Sequence, residues 1–181
     1  MSTIFILLII LGFILGVVIL LGLFLPSSFQ IEKAELIHAS PSELFLLINF
    51  LEKWPEWTVW NKENNEGLEF EYQGPNGGLG AIQIWKGSRI TGRITIIRSL
   101  VDKELQYQFD IDGDKFPMLG TIVLDTAEGG YTQVAWRFQL DEIKQNNPIK
   151  RYQAYFLQNY FNSTIEESLE NLKSLYTVEE K

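Results

Sequence analysis

Residues 38–61 read HASPSELFLLINFLEKWPEWTVWN, and this stretch decides the fold. Ser40, Pro41 and Glu43 mark a helix start: a hydroxyl that accepts from free N–H groups, a ring that fixes φ at the first helical position, and an acid in the first turn. Leu44, Leu47, Ile48 and Leu51 then recur at helical spacing, so one face of a short helix is buried. Trp54-Pro55 is expected to end it, because the residue before a proline is pushed out of the helical region. Trp57 and Trp60 share a face if a further turn of helix follows. Three of the chain's five tryptophans thus stand together behind one short helix. Each indole can bury on the order of 200 Å² and seeks a partner for its N–H, so the trio predicts an aromatic-walled groove.

Upstream, Ile4 to Leu25 is an unbroken run of 22 apolar residues and glycines. At about 1.5 Å rise per residue it reaches about 33 Å, enough for a bilayer core, and it reads as a single transmembrane helix. A cleaved signal peptide is the competing reading. Against it stand an apolar core longer than about 7–15 residues, no Lys or Arg ahead of the run, and no clear small-x-small cleavage site after it. The Gly12 to Gly16 spacing matches the small-xxx-small contact motif, too weak a signal to assign an oligomeric state. Lys33 is the nearest basic residue, so the positive-inside rule assigns no side of the membrane. Pro26, Ser27 and Ser28 break the helix and form a short tether.

The first charged side chain is Glu32, so all 23 acidic and 15 basic residues fall in the rest of the chain, which has the size of one ordinary domain. A net charge of -8 argues against nucleic acid as a partner, since phosphate binding needs a basic face, and disfavours polybasic docking onto anionic lipid. With no cysteine and only His38 for imidazole, disulfides, thiolate chemistry, imidazole triads and transition-metal sites lack their residues. No cofactor and no metal is expected.

Phe29 to Ala39 reads as a first strand. From Gly67 onward the period is two: Leu68, Phe70 and Tyr72 alternate with Glu69 and Glu71, and the Gly74 to Gly78 segment GPNGG turns the chain. Ala81 to Lys86 is the next strand and Gly87-Ser88 the next turn. Ile90, Ile94 and Ile96 alternate with Thr91, Arg93 and Thr95; Leu105, Tyr107, Phe109 and Ile111 alternate with Gln106, Gln108 and Asp110. Asp112-Gly113 is a hairpin-type turn. Met118 to Asp125 and, after Glu128-Gly129-Gly130, the stretch containing Val134, Trp136, Phe138 and Leu140 complete six strands of an antiparallel meander with one dry face. Asn147 before Pro148 starts a helix that runs through Tyr176. Its apolar positions, Ala154, Leu157, Phe161, Ile165, Leu169, Leu172 and Tyr176, fall three or four apart, opposite Glu166, Glu167, Glu170 and Lys173. This amphipathic helix is expected to cover the dry face.

This order resembles the helix-grip fold of the START-like SRPBCC superfamily, specifically its polyketide cyclase/dehydrase-like branch. The residues that carry the likeness are Ala39-Ser40-Pro41 with Leu44 and Phe45, Trp54-Pro55-Glu56-Trp57 to Trp60-Asn61, Gly78 to Gly87 with Trp85, Thr132 to Phe138 with Trp136, and Leu169 to Lys173. The expected fold class is therefore α+β, with an N-terminal transmembrane helix (1–25), a tether (26–29), a helix-grip domain (30–176) and a short tail (177–181). The resemblance implies a cavity between sheet and C-terminal helix for an apolar or amphipathic small molecule. It does not imply catalysis, because no common catalytic set is carried over.

Trp57, Trp60, Trp85, Tyr107, Phe109, Trp136 and Phe138 are the residues expected to line or close that cavity. The alternative is that they fill it, since interiors are close-packed. Glu69 and Glu71 lie opposite the apolar face of their strand and read as solvated charges, not an acid/base pair. Asp110, Asp112 and Asp114 open like a calcium loop, but Gly113 falls too early and Thr121 stands where the closing glutamate belongs. Gly78-x-Gly80 fails as a dinucleotide fingerprint, with Gln83 at the third glycine and a strand following. His38 reads as a capping or surface residue. Asn162-Ser163-Thr164 matches a glycosylation triplet inside a helix. The leading expectation is a membrane-anchored module that binds a lipid, quinone or similar compound. A cyclase/dehydratase-type enzyme and a protein-interaction module are the alternatives.

Overall fold

The computed structural model describes residues 3–87, 91–111, 118–141 and 147–177. Ser88, Ile90, the Asp112-Gly113 turn with Asp114, and residues 178–181 of the expected tail lie outside the described residues.

The apolar run forms one helix, α1 (Thr3–Phe24), long and apolar enough to cross a membrane. The chain then enters β1 (Phe29–Ile37), α2 (Pro41–Asn49) and a short 3₁₀ helix, Leu51–Glu56. Six strands follow: β2 (Glu69–Gln73), β3 (Ile82–Lys86), β4 (Thr91–Leu100), β5 (Glu104–Ile111), β6 (Met118–Thr126) and β7 (Thr132–Leu140). The last element is α3 (Pro148–Ser174). The seven strands among the described residues form one antiparallel sheet in the order β1-β7-β6-β5-β4-β3-β2, so the first strand rejoins the last and the meander leaves β2 at the far edge.

The alternation predicted for the meander sets the two faces. Leu105, Tyr107 and Phe109 of β5 are buried while Gln108 is exposed; on β7 Val134, Trp136, Phe138 and Leu140 are buried between exposed Gln133 and Arg137. α2 begins as expected. Ser40 accepts from the Glu43 N–H at 3.4 Å and the Glu43 carboxylate accepts from the Ser40 N–H at 2.8 Å, a reciprocal capping box. Its end differs from expectation. Phe50 turns extended (φ -106°, ψ 106°), so α2 stops at Asn49, short of Trp54, and Pro55 sits inside the 3₁₀ helix. No further helical turn follows Trp57, and Trp57 and Trp60 point to different places.

α3 grips the sheet unevenly. It packs along β1 and β7 through Ala154, Phe161, Ile165, Leu169 and Leu172, all buried, and ion pairs Lys33–Glu166 (2.7 Å) and Lys173–Glu35 (2.8 Å) tie its outer side to the β1 edge. Two polar residues share the buried face. Ser168 donates to the Thr164 carbonyl at 2.6 Å and accepts from the Val59 N–H at 3.1 Å, so the hydroxyl fixes the loop after the tryptophans to α3 without leaving a buried polar atom unpaired. The start of α3 leans on the end of α1. Arg151 donates to the carbonyls of Leu23 (2.9 Å) and Leu25 (2.7 Å), Tyr152 donates to the Val18 carbonyl (2.9 Å), and a Cβ at Gly22 would stand 2.7 Å from the Tyr152 ring. A guanidinium here satisfies carbonyls that a helix C-terminus leaves open and complements its dipole.

Candidate functional site

The tryptophan segment builds one end of the site, and it does so by closing α2. The last carbonyls of a helix lack partners inside it. Here the Trp54 indole N–H donates to the Ile48 carbonyl (2.8 Å), the Trp57 indole N–H to the Leu47 carbonyl (3.3 Å), and the Gly78 N–H to the Asn49 carbonyl (3.1 Å). Two indoles therefore serve as C-terminal caps, which holds their rings inward. Trp54, Trp57 and Trp136 meet at centroid separations of 5.4–6.1 Å, and Trp54 meets Tyr107 edge-on at 5.1 Å. The Trp136 N–H donates to the Tyr107 hydroxyl at 2.9 Å. Burial pushes the Tyr107 phenol far above its usual range, so it stays protonated.

Beyond this packed cluster the sheet curves away from α3, which packs chiefly along β1 and β7 and meets β5 through Phe161, whose ring lies 5.3 Å from that of Phe109. A cavity of about 500 Å³ occupies the space left between β2–β5 and the first half of α3, within the range of small-molecule sites. Its floor is Leu68, Phe70, Trp85, Ile94, Phe109 and Ile111; its roof is Leu157, Tyr160 and Phe161; Trp54, Thr58 and Trp60 close one end. The exposed lining residues, Glu66 and Tyr160, place the mouth between the 61–67 loop and α3. There the Trp60 N–H donates to the Tyr160 hydroxyl at 3.0 Å, bridging loop and helix. The Trp85 indole lies over Gly92 of the adjacent strand, where a Cβ would stand 1.8 Å from the ring.

Of the seven residues expected to line or close the cavity, Trp60, Trp85 and Phe109 stand on its wall. Trp57, Tyr107, Trp136 and Phe138 do not; they are 0–1% exposed and packed in the core behind it. The hydrogen bonds of Trp57 and Trp136 and the ring contacts among them hold these four where α3 and the sheet are close. Reasoning from sequence missed Gln83, a buried polar group in the lining. It is 3% exposed, and its amide donates to the Leu51 carbonyl and the Tyr72 hydroxyl, each at 3.3 Å. Its signal was present, since Gln83 falls between Ala81 and Trp85 on the dry phase of β3. Thr58, 1% exposed, carried no such signal, because it sits in a loop with no period. Of the charges, Glu71 is exposed as expected and pairs with Lys86 at 3.3 Å, and a hydrogen bond from Gln73, then that lysine, hold its carboxyl below the usual range, whereas Asp110, expected on the wet side of β5, is buried near the end of that strand.

A curved antiparallel sheet that grips one long helix around an apolar cavity defines a helix-grip protein. The sequence matches the profile of the family described as polyketide cyclase / dehydrase and lipid transport over residues 28–177, and the chain belongs to that family. Solved structures share the fold. Major latex-like protein 151 from Panax ginseng is 12% identical with a TM-score of 0.58, over 84% of this chain and 99% of that one. The Aha1 dimer from Colwellia psychrerythraea is 15% identical with a TM-score of 0.57, over 84% and 99%. Protein CV1439 from Chromobacterium violaceum is 14% identical with a TM-score of 0.57, over 81% and 96%. Likeness at these identities establishes the fold alone. Comparison with curated proteins finds no significant match.

Proposed function

We propose that this protein is a membrane-anchored helix-grip module that takes one apolar or amphipathic small molecule, such as a lipid or quinone, into the cavity beneath α3. The observation that carries this reading is the cavity's chemistry. Its walls are aromatic and aliphatic, and its buried polar groups among the described residues are Thr58 and Gln83, which hydrogen-bond without titrating in the ordinary range. Such a lining orients a ligand headgroup and accepts an apolar tail. Trp60, Trp85 and Phe109 form the aromatic wall against the ligand in this proposal. Support for retention of α1 comes from Arg151 and Tyr152, which bond to carbonyls of residues 18–25.

The test is native mass spectrometry of the full chain extracted in mild detergent, followed by titration of delipidated protein with a fluorescent apolar probe such as anilinonaphthalene sulfonate. One co-purifying small molecule, or one probe per chain with quenching of tryptophan emission, is the expected result. A protein that carries nothing and binds no probe overturns the reading. Turnover of a poly-carbonyl substrate by the same preparation would transfer the assignment to the cyclase/dehydratase alternative.

A further inference from the structure

The first half of α3 turns apolar and aromatic side chains outward. Ile149 is 67% exposed and Phe156 66%, with Tyr155 and Tyr160 also exposed, although the helix has a fully formed buried face through Ala154, Phe161 and Ile165. At about 100° per residue, Ile149 and Phe156 fall on one line of the helix, turned away from that buried face. On one side of this line stands Tyr152, whose hydroxyl reaches the Val18 carbonyl of α1; on the other stand Tyr160 and Leu157, which line the cavity mouth. The stripe therefore runs without interruption from the end of the apolar helix to the opening of the pocket.

Charge along α3 divides at the same place. Lys150 and Arg151 are the only charged residues between Pro148 and Ile165, and the acids Glu166, Glu167 and Glu170 all lie in the far half. Exposed aromatic and aliphatic groups flanked by basic residues, at the level where a membrane helix ends, match what a lipid interface selects. We propose that the outer face of α3 from Ile149 to Tyr160 lies in the headgroup layer of the bilayer that holds α1, so that the cavity mouth opens at the lipid surface. The occupant of this face is the membrane itself. This rests on the anchor reading above, because the end of α1 supplies the level of the bilayer.

The absence of native cysteine makes the test direct. Full-length single-cysteine variants Ile149→Cys, Phe156→Cys, Leu11→Cys and Glu167→Cys, each labelled with an environment-sensitive fluorophore, are reconstituted into phosphatidylcholine vesicles without spin label, with lipid spin-labelled at a shallow depth to read positions 149, 156 and 167, and with lipid spin-labelled deep in the acyl chain to read position 11. Labels at 149 and 156 should be quenched severalfold more than the label at 167, at a depth of about 5–10 Å below the headgroup boundary. If the label at 11 is quenched while those at 149 and 156 match 167, the anchor stands and the docking face is refuted. If the label at 11 is not quenched, the anchor reading fails and this proposal falls with it. Blue-shifted emission at 156 without lipid quenching assigns the face to a second copy or another protein and equally overturns it.

Discussion

Gly92 and Gly120 both face inward, and each leaves a space that an aromatic ring of its paired residue occupies, Trp85 in one case and Tyr107 in the other. They differ in what lies beyond the ring. Tyr107 is wholly buried and accepts the Trp136 N–H, so a Cβ at position 120, 2.0 Å from the ring, has no direction in which to displace it. Gly120→Ala is expected to cost about 1–3 kcal/mol or more as overpacking, read as a lower midpoint in denaturant unfolding. Trp85 borders open space. Gly92→Ala should tilt its indole into the cavity, costing less stability than Gly120→Ala but reducing uptake of the apolar probe. Equal destabilisation by the two variants, with probe binding intact, would mean that the floor is as closely packed as the core. Neither glycine's role was legible in the chain, because a strand glycine reads only as a weak point until register shows which ring crosses it.

Among the elements, α2 and α1 owe their ends to opposite devices. The α2 capping box depends on charge: hydrogen bonds from Ser40 hold the Glu43 carboxyl below the usual carboxylate range. Its folded pKa is thus lower than its unfolded one, so its contribution is complete above the unfolded value and is lost as pH falls through the folded value. Thermal midpoints of wild type and Glu43→Gln should differ most near neutrality and converge in acid; a gap independent of pH would assign the glutamate's effect to packing. Ser40 and Glu43 announce this cap by type and spacing alone, which is why the start of α2 was readable and its end was not. That end depends on Trp54 and Trp57 folding back to reach carbonyls six and ten residues earlier, contacts that no local period encodes. α1 ends instead against α3, through Gly22, Arg151 and Tyr152. Gly22→Leu should push Tyr152 away and expose the 26–28 tether, so limited proteolysis of detergent-solubilised protein would cut there faster while the unfolding midpoint of the domain stays unchanged. Unchanged cleavage would show that α1 and α3 are joined only by chain connectivity.

At the scale of the molecule, the meander and the covering helix were legible because periods of two and about 3.6 are written locally, and the anchor-length segment because its apolar run is unbroken; the return of β1 to pair with β7 was not, since no local period encodes it. The cavity was legible only as an implication of family resemblance. Phe109 and Phe138 alternate in the same way along their strands, yet one lines the cavity and the other lies beside α3 in the packed core. What separates them is the path of α3, which follows β1 and β7, reaches β5 through the Phe161–Phe109 ring contact and leaves open space over the rest of β2–β5. The open volume is therefore a property of the whole fold, and a substitution that fills it from the roof tests it as a whole. Leu157 is half-buried on the cavity side of α3. Leu157→Trp adds bulk to existing space and so should leave the unfolding midpoint of the empty protein unchanged or higher, unlike overpacking of a closed core. In wild type, an apolar ligand at a hundredfold excess over its Kd should stabilise the fold by about 2.7 kcal/mol. The variant should show no ligand-dependent shift in thermal unfolding followed by tryptophan fluorescence. A full shift in Leu157→Trp would place the binding elsewhere, on α1 or the outer face of α3, and the cavity would lose its part in function.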